Sequence, residues 1–547
     1  MKKKAFSAII AVCLACALLF SGCDFDMEGY VGNLRRLVSW IMDGGSGGVA
    51  TFEDMVYTRP DVTEYQTLVE QSCQVARESK DLERIVEAIW AVYDAYDSFY
   101  TNLNLANIHY SADLTDIYWQ QENDYCMTHT AEVDAGLDAL YYALADSPLR
   151  GKLEGEDYFG AGYFDAYDGE SIWDETFVEL MTRESELVNQ YYDLAGRALE
   201  TEYYSDAYFE TYGSRMAQLY VELVTLRQQI AAYLGYDSYL QFAYDYYYYR
   251  DYTPEQAASY LEQIRTQLVP LYRRVNASGV WDEYWDGYSE KTTFAYVQNC
   301  AEDMGGTIAQ CFRELEDRKL YDLSFGANKY DSSFEVYLYS YQLPYIFTNP
   351  DGSAYDPLTF AHEFGHFCND YVCGGSYAGT DVAEVFSQGM EYLSLCYGKA
   401  DSRVRKLKML DCLNIYVEQA AYASFEQQVY GLTGEELTVE NVQALYEQVG
   451  TDFGFPSWNW DSRDFVTMPH YFTNPMYIIS YVVSNDAAFQ LYQLEQAEEG
   501  SGLARYEAHL QSEESYFLSF LESAGLESPF TEGRLESVRQ VLEAELG

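Results

Sequence analysis

Histidine is scarce in this chain, six residues in 547, and bases are few: 33 Lys and Arg stand against 88 Asp and Glu. The net charge of -55 excludes nucleic acid as a partner, because binding phosphates takes a basic face. Its plain consequence is solubility, and its sharper one is a field that draws in cationic peptides. Long hydrophobic runs are missing as well. Beyond the first 20 residues there is no apolar stretch of about 18, so nothing in the body of the sequence reads as a membrane span. Internal repeats are absent, and so is the alternation of strand and helix patterns that an α/β binding protein would show. With 48% apolar residues the chain has ample material for a large core.

Two of the six histidines fall four residues apart in His362-Glu363-Phe364-Gly365-His366. Chance would supply only about 0.01 such H-E-x-x-H motifs in a chain of this composition. On an α-helix, residues four apart share a face about 6 Å from each other, so both imidazoles can reach one zinc ion. Glu363 beside them can take a proton from the water that attacks a substrate. The helix is signalled by Asp356 as N-cap, Pro357 at the first position and Gly374-Gly375 at the end. A catalytic zinc needs a third protein ligand and an open position. Glu384, in the next helical pattern from Asp381 to Tyr397, is the best candidate, and Glu391, seven residues on and on the same face, would orient a histidine. Asp381-x-x-Glu384 also fits a capping box, which is a second role open to Glu384.

HEFGH followed by V-A-E-V-x-S-x-x-M-E resembles the M3 peptidases, the group of thimet oligopeptidase and oligoendopeptidase F. The resemblance implies that Glu384 is the third ligand of one zinc ion per chain and that the reaction is peptide hydrolysis. Only 17 residues separate His366 from Glu384, which implies a short connection between the two helices. The segment His470 to Tyr481, HYFTNPMYIISY, is similar to the family's H-x-[FY]-x-x-P-x-Y-x-x-x-Y motif, whose His and Tyr residues contact the tetrahedral intermediate. By that match His470 and Tyr481 are donors to the oxyanion, with Tyr477 a close alternative on the same helical face as Tyr481. His109, His129 and His509 have no such surroundings. Similarity to the oligoendopeptidase branch runs from about Leu226 to the amphipathic tail, and before Leu226 only helical periodicity is seen.

Residues 1–22 read as a lipoprotein signal peptide: Lys2 to Lys4 are basic, Ala5 to Phe20 apolar, and Phe20-Ser21-Gly22-Cys23 places cleavage before Cys23 and a lipid on its thiol. An ordinary secretory signal is the alternative. Residues 23–52, with Gly44-Gly45-Ser46-Gly47-Gly48, form a lipid anchor and flexible tether. The peptidase domain is expected over 53–547, a helical N-terminal lobe to about 275 and a catalytic part from about 276. This places the protein on the extracytoplasmic side of the cell membrane, held there by lipid alone. Setting aside Cys13, Cys16 and Cys23 leaves eight cysteines, open to either disulfides or buried thiols.

Thr253-Pro254-Glu255-Gln256 is a helix start with a capping box. Most of the 56 tyrosines, the run Tyr246 to Tyr249 included, are packing residues. Ahead of the HEFGH helix the period changes to two, which predicts a strand over Phe334 to Tyr339 and a second over Leu343 to Asn349, whose Pro344 suits an edge. Strand, loop and HExxH helix in that order resemble a thermolysin-like core, in which an edge strand pairs with extended peptide. The expected fold is mainly α, with this core and a small β-sheet inside a two-lobed helical body that encloses a substrate channel. The expected activity is zinc-dependent cleavage within short unstructured oligopeptides. The alternatives are a zinc aminopeptidase, whose W-x-x-x-W-L-x-E-G and G-A-M-E-N patterns are missing, and an oligopeptide-binding lipoprotein without catalysis.

Overall fold

The computed structural model describes residues 51–546 except 156–157, 170, 199–204, 281–286, 376–378, 400, 457–458 and 513. The signal segment, Cys23 and most of the tether lie outside the described residues. Three long helices come first: α1 (Val62–Glu78), α2 (Leu82–Ala112) and α3 (Ile117–Ala145). Each starts after an aspartate, Asp61, Asp81 or Asp116, whose carboxylate accepts from first-turn N–H groups. Ile85, Ile89, Val92 and Tyr93, spaced by three and four, are buried on one stripe of α2. With Tyr65, Val69, Leu140 and Leu144 they form a small core of their own that extends to Phe164. At 31 residues α2 is about 46 Å long. Its far end delivers Leu105 and Ile108 to a second, much larger core that holds the rest of the chain together.

Inside the larger core lies a three-stranded sheet of β1 (Tyr321–Asp322), β2 (Phe334–Leu338) and β3 (Leu343–Phe347) in the order β1-β3-β2. β2 and β3 are antiparallel, with Phe334 opposite Phe347 and Leu338 opposite Leu343, while β1 runs parallel to β3. The expectation that Pro344 marks an edge strand is corrected here, because β3 is the central strand. Proline is accommodated there since β1 reaches only Ile346 and Phe347, which leaves Pro344 with one neighbour, β2. The longer edge strand is β2, on whose edge Asn104 donates to the Tyr337 carbonyl.

Four helices complete the frame: α4 (Asp356–Cys373), α5 (Thr380–Ser394), α6 (Ser402–Asn414) and α7 (Ile479–Ala497). α5 packs between α4 and α7. At Gly365 a Cβ would stand 2.5 Å from the Phe386 carbonyl oxygen and 2.6 Å from the Ser387 Cα, so α4 and α5 meet backbone to backbone. Gly374 ends α4 in the left-handed conformation, φ +83. Asp356 is not the cap expected for it. It is the first helical residue, and its carboxylate accepts from the N–H groups of Asp351 and Gly352, closing the preceding turn. The Thr253/Gln256 capping box forms as expected. Eight cysteines are described and none is in a disulfide. No described helix is long and apolar enough to cross a membrane.

Candidate active site

α4 carries His362 and His366 one turn apart, and α5, held close by Gly365, carries Glu384. The Glu384 carboxylate lies 3.3 Å from His362 Nε2 and 3.8 Å from His366 Nε2, and one ligand atom from each of the three lies within 4.8 Å of the others. A four-coordinate ion with bonds of about 2.0–2.1 Å requires neighbouring donors about 3.3 Å apart, so these residues could hold a zinc-like metal. Glu384 is fully buried, whereas the histidine side chains are 18% and 17% exposed and face the cleft, so the fourth position is open to small molecules. Cys373 is not among these donors: its thiol donates to the Leu510 carbonyl.

The capping-box role for Glu384 is not taken. α5 begins after Gly379 without a side-chain cap, and the Glu384 carboxylate accepts instead from Tyr477 Oη at 2.5 Å and Ser387 Oγ at 2.8 Å. Burial works against its charge, but His362 and His366 outweigh burial and hold its pKa down to about 2. Burial also works against charge on His362, yet the Glu384 and Glu391 carboxylates facing its two ring nitrogens prevail and raise its pKa. Burial lowers His366 to about 4, the neutral form that ligation requires. Behind the histidines, His362 Nδ1 donates to Glu391 at 2.8 Å, which turns Nε2 towards Glu384. Glu391 is in turn bound by Lys408 of α6 at 2.6 Å, and Lys408 also reaches Asp411 at 2.9 Å. Lys408 is wholly buried, and these two carboxylates keep it charged.

Glu363 sits beside the histidines, and burial pushes its pKa up to about 7. A buried carboxylate poised near neutrality is what a general base needs. Facing α4 is the short helix Pro469–Thr473 with the start of α7. It brings His470 Nε2 to 3.1 Å from Tyr481 Oη, while Tyr477 bonds Glu384. Burial lowers His470 to about 4, and its Nδ1 has no hydrogen-bond partner. All eight sequence-derived residues of the body, from His362 to Tyr481, thus come together in one place.

All but Glu391, which stands behind His362, line a cleft of about 450 Å³. One wall is the edge strand β2, the other α2 and the helix Glu175–Ala198, which supply Asn107, Ser111 and Tyr192. Two further carboxyl groups face it: Glu335 of β2 and Asp370 of α4, hydrogen-bonded to each other. Burial, then Asp370 and Glu363, raise the pKa of Glu335 well above the carboxylate range. Sequence reasoning missed Glu335, Asp370 and Lys408. Lys408 reads as one base among Arg403, Arg405 and Lys406, and only its burial sets it apart. The other histidines lie outside the site, His109 stacked on Trp119 and His129 and His509 each bonded to a carbonyl one turn back.

Fold and site together define a mainly helical, two-lobed protein with an HExxH donor set in its central cleft. Residues 52–169 match the family model described as the Peptidase M3 N-terminal domain, the part of the chain where the sequence offered only helical periodicity. The fold is shared with a solved protein assigned as oligoendopeptidase F (22% identity, TM-score 0.78, 91% of this chain and 98% of that one). It is shared as well with Pz peptidase A, solved with an inhibitor (20%, 0.78, 91% and 99%), and with a protein assigned as oligoendopeptidase F from Bacillus anthracis str. Ames (22%, 0.76, 92% and 98%). No curated protein sequence is significantly similar to this chain.

Proposed function

We propose that this protein is a zinc endopeptidase of the M3 type that cuts short, unstructured oligopeptides, tethered through a lipidated Cys23 at the outer face of the cell membrane. The observation that carries the peptidase reading is the convergence of His362, His366 and Glu384 on one point, with Glu363 beside them and His470 and Tyr481 across the cleft. The M3 domain match and the shared fold support it. Bound there, zinc would supply Lewis-acid polarisation of the scissile carbonyl and activation of water. Glu363 would accept the water's proton and pass it to the leaving amine. His470 and Tyr481 would donate hydrogen bonds to the oxygen on which charge develops, each worth roughly 3 to 4 kcal/mol in the transition state. Glu391 and Lys408 would keep His362 in the ligating tautomer.

Substrate would lie extended along the cleft-facing part of β2, residues 334–336, and strand addition of this kind reads main chain more than side chain. Among the described residues no lysine or arginine lines the cleft, and the field of a chain with net charge -55 favours peptides with basic residues. The deciding experiment digests an N-acetylated, C-amidated peptide of about ten residues and its unblocked twin, with fragments read by mass spectrometry and metal content measured on the same sample. Internal cleavage of both by zinc-containing protein is expected. Stepwise loss of single residues from the free twin alone would make it an aminopeptidase, and no cleavage of either would leave a binding protein.

A further inference from the structure

Between Tyr471 and Met476 the chain leading into α7 is largely buried and only partly helical, so its carbonyl groups need partners from elsewhere. They find them on residues 227–250. Arg227, fully buried in the helix Ser214–Tyr233, donates to the Tyr471 carbonyl at 2.9 Å and to that of Phe472 at 2.5 Å. The Tyr248 hydroxyl donates to the Pro475 carbonyl at 2.7 Å. Arg250 takes the carbonyl of Met476 at 2.9 Å, next to a backbone turn at φ +68 that a side-chain-bearing residue seldom adopts. The same guanidinium donates to Ser480 Oγ at 2.9 Å and pairs with Asp381 at 3.2 Å, with the rings of Tyr244 and Tyr248 4.4 and 4.3 Å from its centre. Asp381 also accepts from Tyr252 and Ser480. Asp381 lies three residues before Glu384, and Ser480 lies between Tyr477 and Tyr481. One buried cation therefore joins the helix of the third metal donor to the segment of the oxyanion donors.

We propose that Arg250, seconded by Arg227, is a positioning residue that fixes the distance between Glu384 and the His470–Tyr481 pair. The assignment rests on the peptidase reading above. Arg250 touches no reacting atom. Its planar fork holds three partners in a fixed geometry, whereas a lysine's donors radiate from one nitrogen on a flexible stem. A shift of about 1 Å in groups that act on the transition state costs about a hundredfold in turnover. Substrate binding along β2 involves none of these contacts, so the loss should fall on kcat and spare KM.

The test compares zinc-loaded Arg250→Met, Arg250→Lys and Ser480→Ala with a control, Arg534→Met. Arg534 is a buried arginine paired at 2.9 Å with Asp486, which lies on α7 beyond Tyr481, and the pair includes neither Asp381 nor any of residues 471–481. Arg250→Met should lower kcat about 10- to 100-fold with KM nearly unchanged, Arg250→Lys should recover part of that loss, and Ser480→Ala should cost about threefold or more. Arg534→Met should lower Tm and leave kcat alone. An unchanged kcat in folded Arg250→Met overturns the proposal, and so does a loss that Arg534→Met reproduces. Should Arg250→Met not fold, Ser480→Ala decides: full kcat at full zinc content overturns it. A wild-type protein that cleaves nothing defeats the peptidase reading instead, so the two failures are told apart.

Discussion

Glu363 and Glu384 are both buried in one site, yet burial pushes the first up to about 7 while His362 and His366 hold the second down to about 2. Under the peptidase reading such a divergence divides the roles: one carboxyl would trade protons near neutral pH and the other would stay ionised as a ligand. Glu363→Gln should therefore keep fold and metal but lose at least about a hundredfold in kcat, measured on a blocked peptide beside a metal analysis. The two tyrosines should separate in the same way. Tyr477 bonds Glu384, so Tyr477→Phe should weaken zinc retention in a chelator titration, whereas Tyr481→Phe should lower kcat at full occupancy. Glu426 offers a titration away from the metal. Burial raises its pKa to about 8, against the pull of Arg227 and Arg250. Its folded pKa stands above the unfolded value of about 4.3, so the native state holds the extra proton and this contribution to stability is lost as pH rises from about 4.3 through about 8. Glu426→Gln should flatten the fall in Tm between pH 5 and about 8.5. Local spacing made His362, Glu363, His366 and Glu391 legible in the sequence, and the family resemblance added Glu384, His470, Tyr477 and Tyr481. Lys408, Glu335 and Arg250 were not legible, since their roles come from partners on other elements.

Among elements, the contact of α4 with α5 decides whether a metal site exists. Gly365 costs the helix about 1 kcal/mol relative to alanine. Its value is the space in which Phe386 and Ser387 approach, bringing Glu384 up to the histidines. Gly365→Ala should destabilise by about 1–3 kcal/mol through overpacking, exceeding the propensity gain, and should loosen zinc as α5 is pushed back. Thermal melts with and without chelator would show both. Periodicity located these helices and both longer strands, but not how they neighbour one another. Pro344 reads as an edge residue because proline gives up a ladder donor, and the sequence holds no sign that β1 is too short to require that donor. Asp356 and Asp381 read as caps for the same reason: an aspartate at a helix start satisfies local rules, but the turn just before α4 claims Asp356 and the distant Arg250 claims Asp381.

For the whole molecule, a net charge of -55 surrounds a cleft that itself presents four carboxyl groups. Cationic peptides should be cut faster than anionic isomers at low ionic strength, and the ratio of their kcat/KM values should shrink towards 0.15 M salt, where the Debye length is about 8 Å. A ratio independent of salt would confine selectivity to the cleft wall.

The contacts that complete the cleft also differ in how far they reach along the chain. The small core closes within residues 62–164, whereas the bonds from Arg227 to Tyr471 and Phe472 join residues 244 and 245 apart. Local contacts form early in folding and long loops close late. The three leading helices can therefore assemble while the segment carrying His470 is still unplaced, and hydrolytic capacity arrives with the last closures. During folding, the time when its own strands are extended and accessible, the chain carries half an active site.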